Sequence, residues 1–234
     1  MRGFFGIESV IINSRKLFEI YYTKTCLKNI EKNLYRNNNY KRLKNLIALN
    51  DKHLYDMRLL LLGCTGFVGK ELVPTLLNEN HEIYIVSRKP ISKLKLDLDF
   101  NKFKFFQIDL SKEKNWNNQN LLNILRETDG IINLMGEPIA EKKWTSAQKQ
   151  EIENSRINTT KFMMKTLKNF KINPKVIING SAIGYYGTSL SGEFTENSIG
   201  GKDFLANLCK KWEAVAAEKP FFSRLVIFRI GIVL

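Results

Sequence analysis

Residues 59 to 72 read LLLLGCTGFVGKEL, an apolar run closed by Gly63, Gly66 and Gly69 and continued at helical spacing to Leu77. An apolar run that ends in a glycine turn predicts a buried strand, and a helix directly after it turns its free amides toward the turn. Glycines at these points permit a sharp bend, close approach of backbone to a pyrophosphate, and close contact of helix and strand. The context makes the motif specific: a strand precedes it, a helix follows, and Glu82 to Val86 reads as the next strand.

Working outward, that second strand ends in Val86, Ser87, Arg88 and Lys89. An NAD site of this design has an acid there for the ribose 2′-hydroxyl. Arg88 suits a 2′-phosphate instead, which points to NADP; the plainer alternative is a solvated Arg-Lys pair. Asp109 follows a third predicted strand, Phe103 to Ile108, and either contacts the adenine or forms a turn. Gly130 to Leu134, Lys175 to Asn179 and Leu225 to Val233 read as further strands. Between them lie helical stretches from Thr145 to about Phe170, with Ile152, Ile157, Phe162, Met163 and Leu167 apolar, and from Asp203 to Ala217. Strands separated by helices predict an α/β protein, a Rossmann-type doubly wound parallel sheet with helices on both faces.

The chain of 234 residues suffices for one such domain, assigned to residues 57–234, plus an extension, residues 1–56. The extension holds 11 Lys/Arg against 5 Asp/Glu and the cluster Asn37, Asn38, Asn39. It reads as poorly structured or partly helical, since Leu27, Ile30 and Leu34 recur at helical spacing while apolar content is too low for a core. Met57 stands directly before the first strong strand, so the residues upstream are a translated leader, a targeting segment or an effect of start-site choice. Few serines and several acids argue against a transit peptide, so the location expected is the cytoplasm, or the plastid stroma if the extension is a targeting segment. The chain stops on Ile232, Val233 and Leu234 right after a strand, which reads as a C-terminal truncation with the substrate lobe missing.

The net charge of +14 arises from basic residues spread along the chain, so no specific nucleic-acid partner is expected. Cys26, Cys64 and Cys209 are far apart, and only His53 and His81 are present; no metal site and no histidine-based catalysis are expected. No apolar run is long enough to span a membrane.

With the glycine loop, the segments NLMGEPIAEKKWT, NSRINTTKFM, SAIGYYG, DFLANLCKKWEA and FRIGIVL follow in order. Together they resemble the NAD(P)-dependent epimerase/dehydratase-like branch of the short-chain dehydrogenases. Within it they are similar to the sugar-nucleotide-epimerase-like group whose cyanobacterial and plastid members are described as cell-division inhibitors. The resemblance runs from Met57 to Leu234. It implies that Gly63, Thr65, Gly66, Phe67, Val68 and Gly69 wrap the pyrophosphate and that Arg88 binds the 2′-phosphate. It also implies that Asn133, Leu134, Met135 and Gly136 pass along the ribose and phosphates, although relatives commonly have a small residue at Met135. Ser181 falls on the family's catalytic serine, where a hydroxyl can bond a substrate oxygen during hydride transfer.

The family's Tyr-x-x-x-Lys pair is missing from Asp203 to Lys210. Tyr185 and Tyr186 are the nearest replacements for that general acid/base, or else packing residues. Arg156 either binds an anionic substrate or pairs with Glu137. Two functions follow: an NADP-dependent oxidoreductase or epimerase-like enzyme acting on a small, anionic or nucleotide-linked molecule, or a non-catalytic NADP(H)-sensing regulator with a protein partner. The resemblance further implies a homodimer through the helices after the fourth and fifth strands.

Overall fold

The computed structural model describes residues 8–12, 57–93, 100–188 and 193–231. The leucine run becomes β2, Arg58–Leu62, whose side chains divide strictly by parity. Leu60 and Leu62 enter one apolar cluster, and Leu59 and Leu61 enter another on the opposite face. Such a strand is buried on both sides, which only a sheet covered by helices on both faces provides. The glycine turn leads into α1, Phe67–Asn78, and then β3, Glu82–Ser87, and β4, Phe103–Gln107. Next come α2, Gln119–Glu127, β5, Gly130–Asn133, and α3, Ser146–Asn169. The described chain closes with β6, Val176–Ala182, α4, Phe204–Ala217, and β7, Arg224–Ile230.

With Glu8–Ile12 as β1, every strand pairing among the described residues is parallel, in the order β1-β7-β6-β5-β2-β3-β4. β2 has β3 on one side and β5 on the other, so the strand order reverses there and opens a crevice above the carboxyl ends of the strands. Leu72, Val73 and Leu76 of α1 pack in the cluster with Leu59 and Leu61. Buried side chains of α2, α3 and α4, among them Leu121, Met163 and Ala216, pack in the other. This is the expected doubly wound architecture.

Two elements differ from the expectation. α2 is absent from the sequence reading because its entry, Asn117-Asn118-Gln119-Asn120, looks like loop. Asn118 is in fact its N-cap, accepting from the Leu121 amide at 3.2 Å, and Leu121, Leu122, Ile124 and Leu125 are buried. Within the extension, Glu8–Ile12 forms β1, an edge strand in register with Val226 to Ile230 of β7. Asn37 to Asn39, Cys26, and the helical spacing of Leu27, Ile30 and Leu34 lie outside the described residues, as does the Ile232 to Leu234 ending. No described helix is long and apolar enough to cross a membrane.

Candidate functional site

Side chains close the N-termini of three helices. Asn118 caps α2, Thr145 caps α3 by accepting from the Gln148 amide at 3.2 Å, and Asp203 caps α4 by accepting from the Ala206 amide at 2.9 Å. α1 differs, for its cap is Gly66, no side chain bonds its amides, and its first turn holds no acid. A helix end of this kind offers donors and a positive dipole to an anion in the crevice.

The three glycines answer to different demands. Gly63 has φ +76°, and a Cβ there would lie 2.6 Å from the Leu134 and Met135 backbone. At Gly69 a Cβ would overlap the Cys64 backbone, so this glycine lets α1 sit on the turn. Gly66 has an ordinary φ of −91°, and among the described residues the only atom a Cβ would meet is the Gly63 oxygen at 3.9 Å. Packing among the described residues therefore does not require glycine at this position. Gly66 and Phe67 are exposed and Thr65 and Val68 half-buried, whereas Cys64 is sealed below, where burial pushes its thiol pKa up to about 12.

Arg88, at the end of β3, is exposed and reaches across the carboxyl end of β2 toward Glu137, its Nη2 3.9 Å from Oε2. Lys142 donates to the other oxygen of Glu137 at 2.8 Å and, with Arg88, holds that carboxyl below its usual pKa. The Asp109 carboxylate is engaged locally by the Ser111 amide and hydroxyl at 3.2 and 2.7 Å and by Lys112, the turn-forming alternative.

After β5, the predicted segment separates into different roles. Asn133 is fully buried, and its side chain is engaged inside the protein. Its amide donates to Asn179 at 2.7 Å and Thr160 at 3.1 Å, and its oxygen accepts from the Met135 amide. It fixes the loop's start. Leu134 and Met135 are half-buried beside Gly63, Leu134 packing on the α1 side of the sheet and Met135 on the other. Gly136 makes room for Arg156, because a Cβ would come within 2.7 Å of the guanidinium carbon. Arg156 donates to the Glu137 main-chain carbonyl at 2.9 Å, to Ile152 at 3.2 Å, and lies over the Trp212 ring. The expected contact with Glu137 exists, but through the backbone instead of the carboxylate.

The three candidate catalytic hydroxyls gather around Arg229. Ser181, on β6, donates to Glu213 of α4 at 2.6 Å. Arg229 of β7 holds Glu213 with two bonds of 2.9 Å, donates to the Tyr186 hydroxyl at 2.8 Å and to the Glu196 carbonyl at 3.0 Å. Its guanidinium lies 3.5 Å from the Tyr185 ring centre, and Tyr186 stacks on Phe194. Burial pulls the Arg229 pKa down, yet the bonds to Glu213 and Tyr186 more than offset it, so the guanidinium stays charged. Ser181, Tyr186 and Arg229 are all buried, and two of the three candidate hydroxyls are thus committed inside the protein. Cys209 of α4, its thiol raised by burial, lies next to Ser181 and Ala182.

Sequence reasoning passed over Glu213 and Arg229. Their signal was present: an arginine inside the strand Leu-Val-Ile-Phe-Arg-Ile and a glutamate beside Trp212 must find each other when buried.

Residues 59–204 match the NAD dependent epimerase/dehydratase family. The chain belongs to that family. The family member from Arabidopsis thaliana described as "Epimerase family protein SDR39U1 homolog, chloroplastic" is 37% identical over 174 residues, covering 74% of this chain and 48% of the relative. The human epimerase family protein SDR39U1 is 32% identical over 181 residues, 76% of this chain and 55% of the relative. The crystal structure of that human protein (isoform2) with NADPH superposes with a TM-score of 0.59 at 30% identity, over 76% of this chain and 55% of that one. The Bordetella bronchiseptica enzyme WbmG, solved with NAD and UDP, shares the fold at 14% identity and a TM-score of 0.58, over 74% of this chain and 53% of that one. The chain spans about half the length of the curated relatives it matches. As a family member it carries a Rossmann-type α/β domain.

Proposed function

We propose that this chain binds NADP(H) across the β2–α1 turn and serves an oxidoreductase or epimerase-type reaction on a small, anionic or nucleotide-linked molecule. Gly66 is the observation that carries this reading. Neither its backbone conformation nor its surroundings require glycine, so the missing side chain is explained by a ligand that must approach the backbone closely. The amides from Thr65 to Val68 would hold the pyrophosphate and Arg88 the 2′-phosphate, while Leu134 and Met135 would flank the dinucleotide beyond Gly63. When bound, the dinucleotide supplies a hydride donor or acceptor. NADPH in the human relative's structure supports the phosphorylated cofactor.

A regulator that binds the dinucleotide without turnover has one observation in its favour. The Ser181 and Tyr186 hydroxyls are bonded to Glu213 and Arg229, and α4 carries no tyrosine-lysine pair. The test is titration of the full chain with NADPH and NADH, followed by stopped-flow oxidation of NADPH against aldehydes, ketones and sugar nucleotides. Saturable binding with turnover of a panel member supports the enzyme. Binding without turnover across the panel favours the regulator, and no saturation with either dinucleotide removes both. The chloroplastic relative supports a plastid address, which a fluorescent fusion to residues 1–56 would test by its site of accumulation.

A further inference from the structure

Arg88 and Glu137 come from opposite sides of the strand-order reversal, one from the end of β3 and the other from the loop after β5. Their ion pair crosses above β2, over the adenosine half of the expected dinucleotide track. Three features make Glu137 more than a chance neighbour. Its backbone is pinned at both ends, with the amide donating to Ser155 at 2.9 Å and the carbonyl accepting from Arg156 at 2.9 Å, so the carboxylate is presented from a fixed point. The Glu137 side chain is only 11% exposed, whereas those of Arg88 and Lys142 are 61% and 58% exposed and open to an incoming anion from solvent. Finally, the Arg88 separation of 3.9 Å is too long for a hydrogen bond, so the guanidinium donors are not used up by Glu137.

We propose that Glu137 is the residue that sets cofactor preference, by competing with the adenosine 2′-phosphate for Arg88 and Lys142. The inference rests on the dinucleotide-binding reading above and adds a determinant to it. A 2′-phosphate brings a larger charge and more acceptors than a carboxylate, so it takes Arg88 from Glu137. The nearby carboxylate still opposes it. NADH has no 2′-phosphate and feels neither the capture nor the opposition. Glu137 thereby narrows a preference that Arg88 and Lys142 alone would make steeper, leaving the site able to accept both dinucleotides.

The experiment is equilibrium titration of the full chain with NADPH and with NADH at low and at high salt. In Glu137→Gln the pinned backbone bonds survive, and the NADPH Kd is expected to fall about fivefold while that of NADH moves less than about twofold. Lys142→Met, at an exposed side chain, is expected to shift NADPH the other way by about twofold to fivefold. The gain in Glu137→Gln should shrink at high salt and in the Arg88→Ala background. Wild-type saturation together with an unchanged or reduced NADPH preference in Glu137→Gln overturns the inference and leaves dinucleotide binding standing. Absence of saturation by both dinucleotides in the wild type overturns both.

Discussion

The β2–α1 turn and the cluster joining β6, α4 and β7 stand at the same end of one parallel sheet and are built in opposite ways. The turn consists of backbone: an uncapped helix end, a glycine with free space above it, and an exposed Phe67 beside it. The cluster consists of side chains that satisfy one another, with Ser181, Glu213, Arg229 and Tyr186 forming a largely buried chain of bonds. Unsatisfied amides facing a crevice are a place for something else to bind. Satisfied polar groups beneath the surface fix how strands and helix sit together.

The sharpest way to break this comparison is to remove the charge that closes the cluster. Arg229→Met leaves the half-buried Glu213 carboxylate with Ser181 as its remaining polar partner of that network, and a loss of about 2–3 kcal/mol in urea unfolding is expected, below the range for a fully buried pair. A loss below about 1 kcal/mol would mean that the pair behaves as a surface ion pair. Gly66→Ala should do the reverse: dinucleotide affinity weakens at least about tenfold, roughly 1.4 kcal/mol, while the urea midpoint holds. Equal effects on stability and binding would abolish the distinction between the two regions. Ser181→Ala, which keeps both Arg229 bonds to Glu213, should cost about 1–2 kcal/mol of stability by the same unfolding assay. If Ser181 also contacts substrate, turnover falls as well, and unchanged turnover assigns it wholly to the scaffold. Thr145→Ala removes a side-chain cap of the kind α1 lacks and should cost about 1 kcal/mol with dinucleotide affinity unchanged. At the small end, Cys64 lies beneath the turn with its thiol held protonated to about pH 12. Alkylation of the native chain at pH 8 should leave it unmodified by peptide mass mapping, whereas modification would show that the turn opens.

The alternation of strands and helices was legible because its signals are local. A leucine run feeding a glycine turn, or Ile131 and Ile132 between a glycine and an asparagine, has few other folded outcomes. α2 escaped notice because asparagines, which resemble loop in sequence, serve as its cap, and a nine-residue helix gives little periodicity to read. At the site, the positions of Gly63, Gly66 and Gly69 could be read directly, but their separate purposes could not. Only the distance from each missing Cβ to other parts of the chain distinguishes a glycine the fold needs from one a ligand needs. Asn133 and Gly136 fell within the predicted cofactor segment. The structure gives each an internal task, one bonding Asn179 and Thr160, the other making room for Arg156.

By itself the sequence determined that strands and helices alternate from Met57 onward in a parallel sheet, and which helix follows the glycine turn, since burial periodicity and backbone preference act over a few residues. The tertiary structure decided who meets whom. Residues 32 apart in Ser181 and Glu213, 16 apart in Glu213 and Arg229, and following different strands in Arg88 and Glu137 become partners only once the sheet has brought the strand ends together. Charge and hydrogen bonding depend on distance in space, which chain order does not encode.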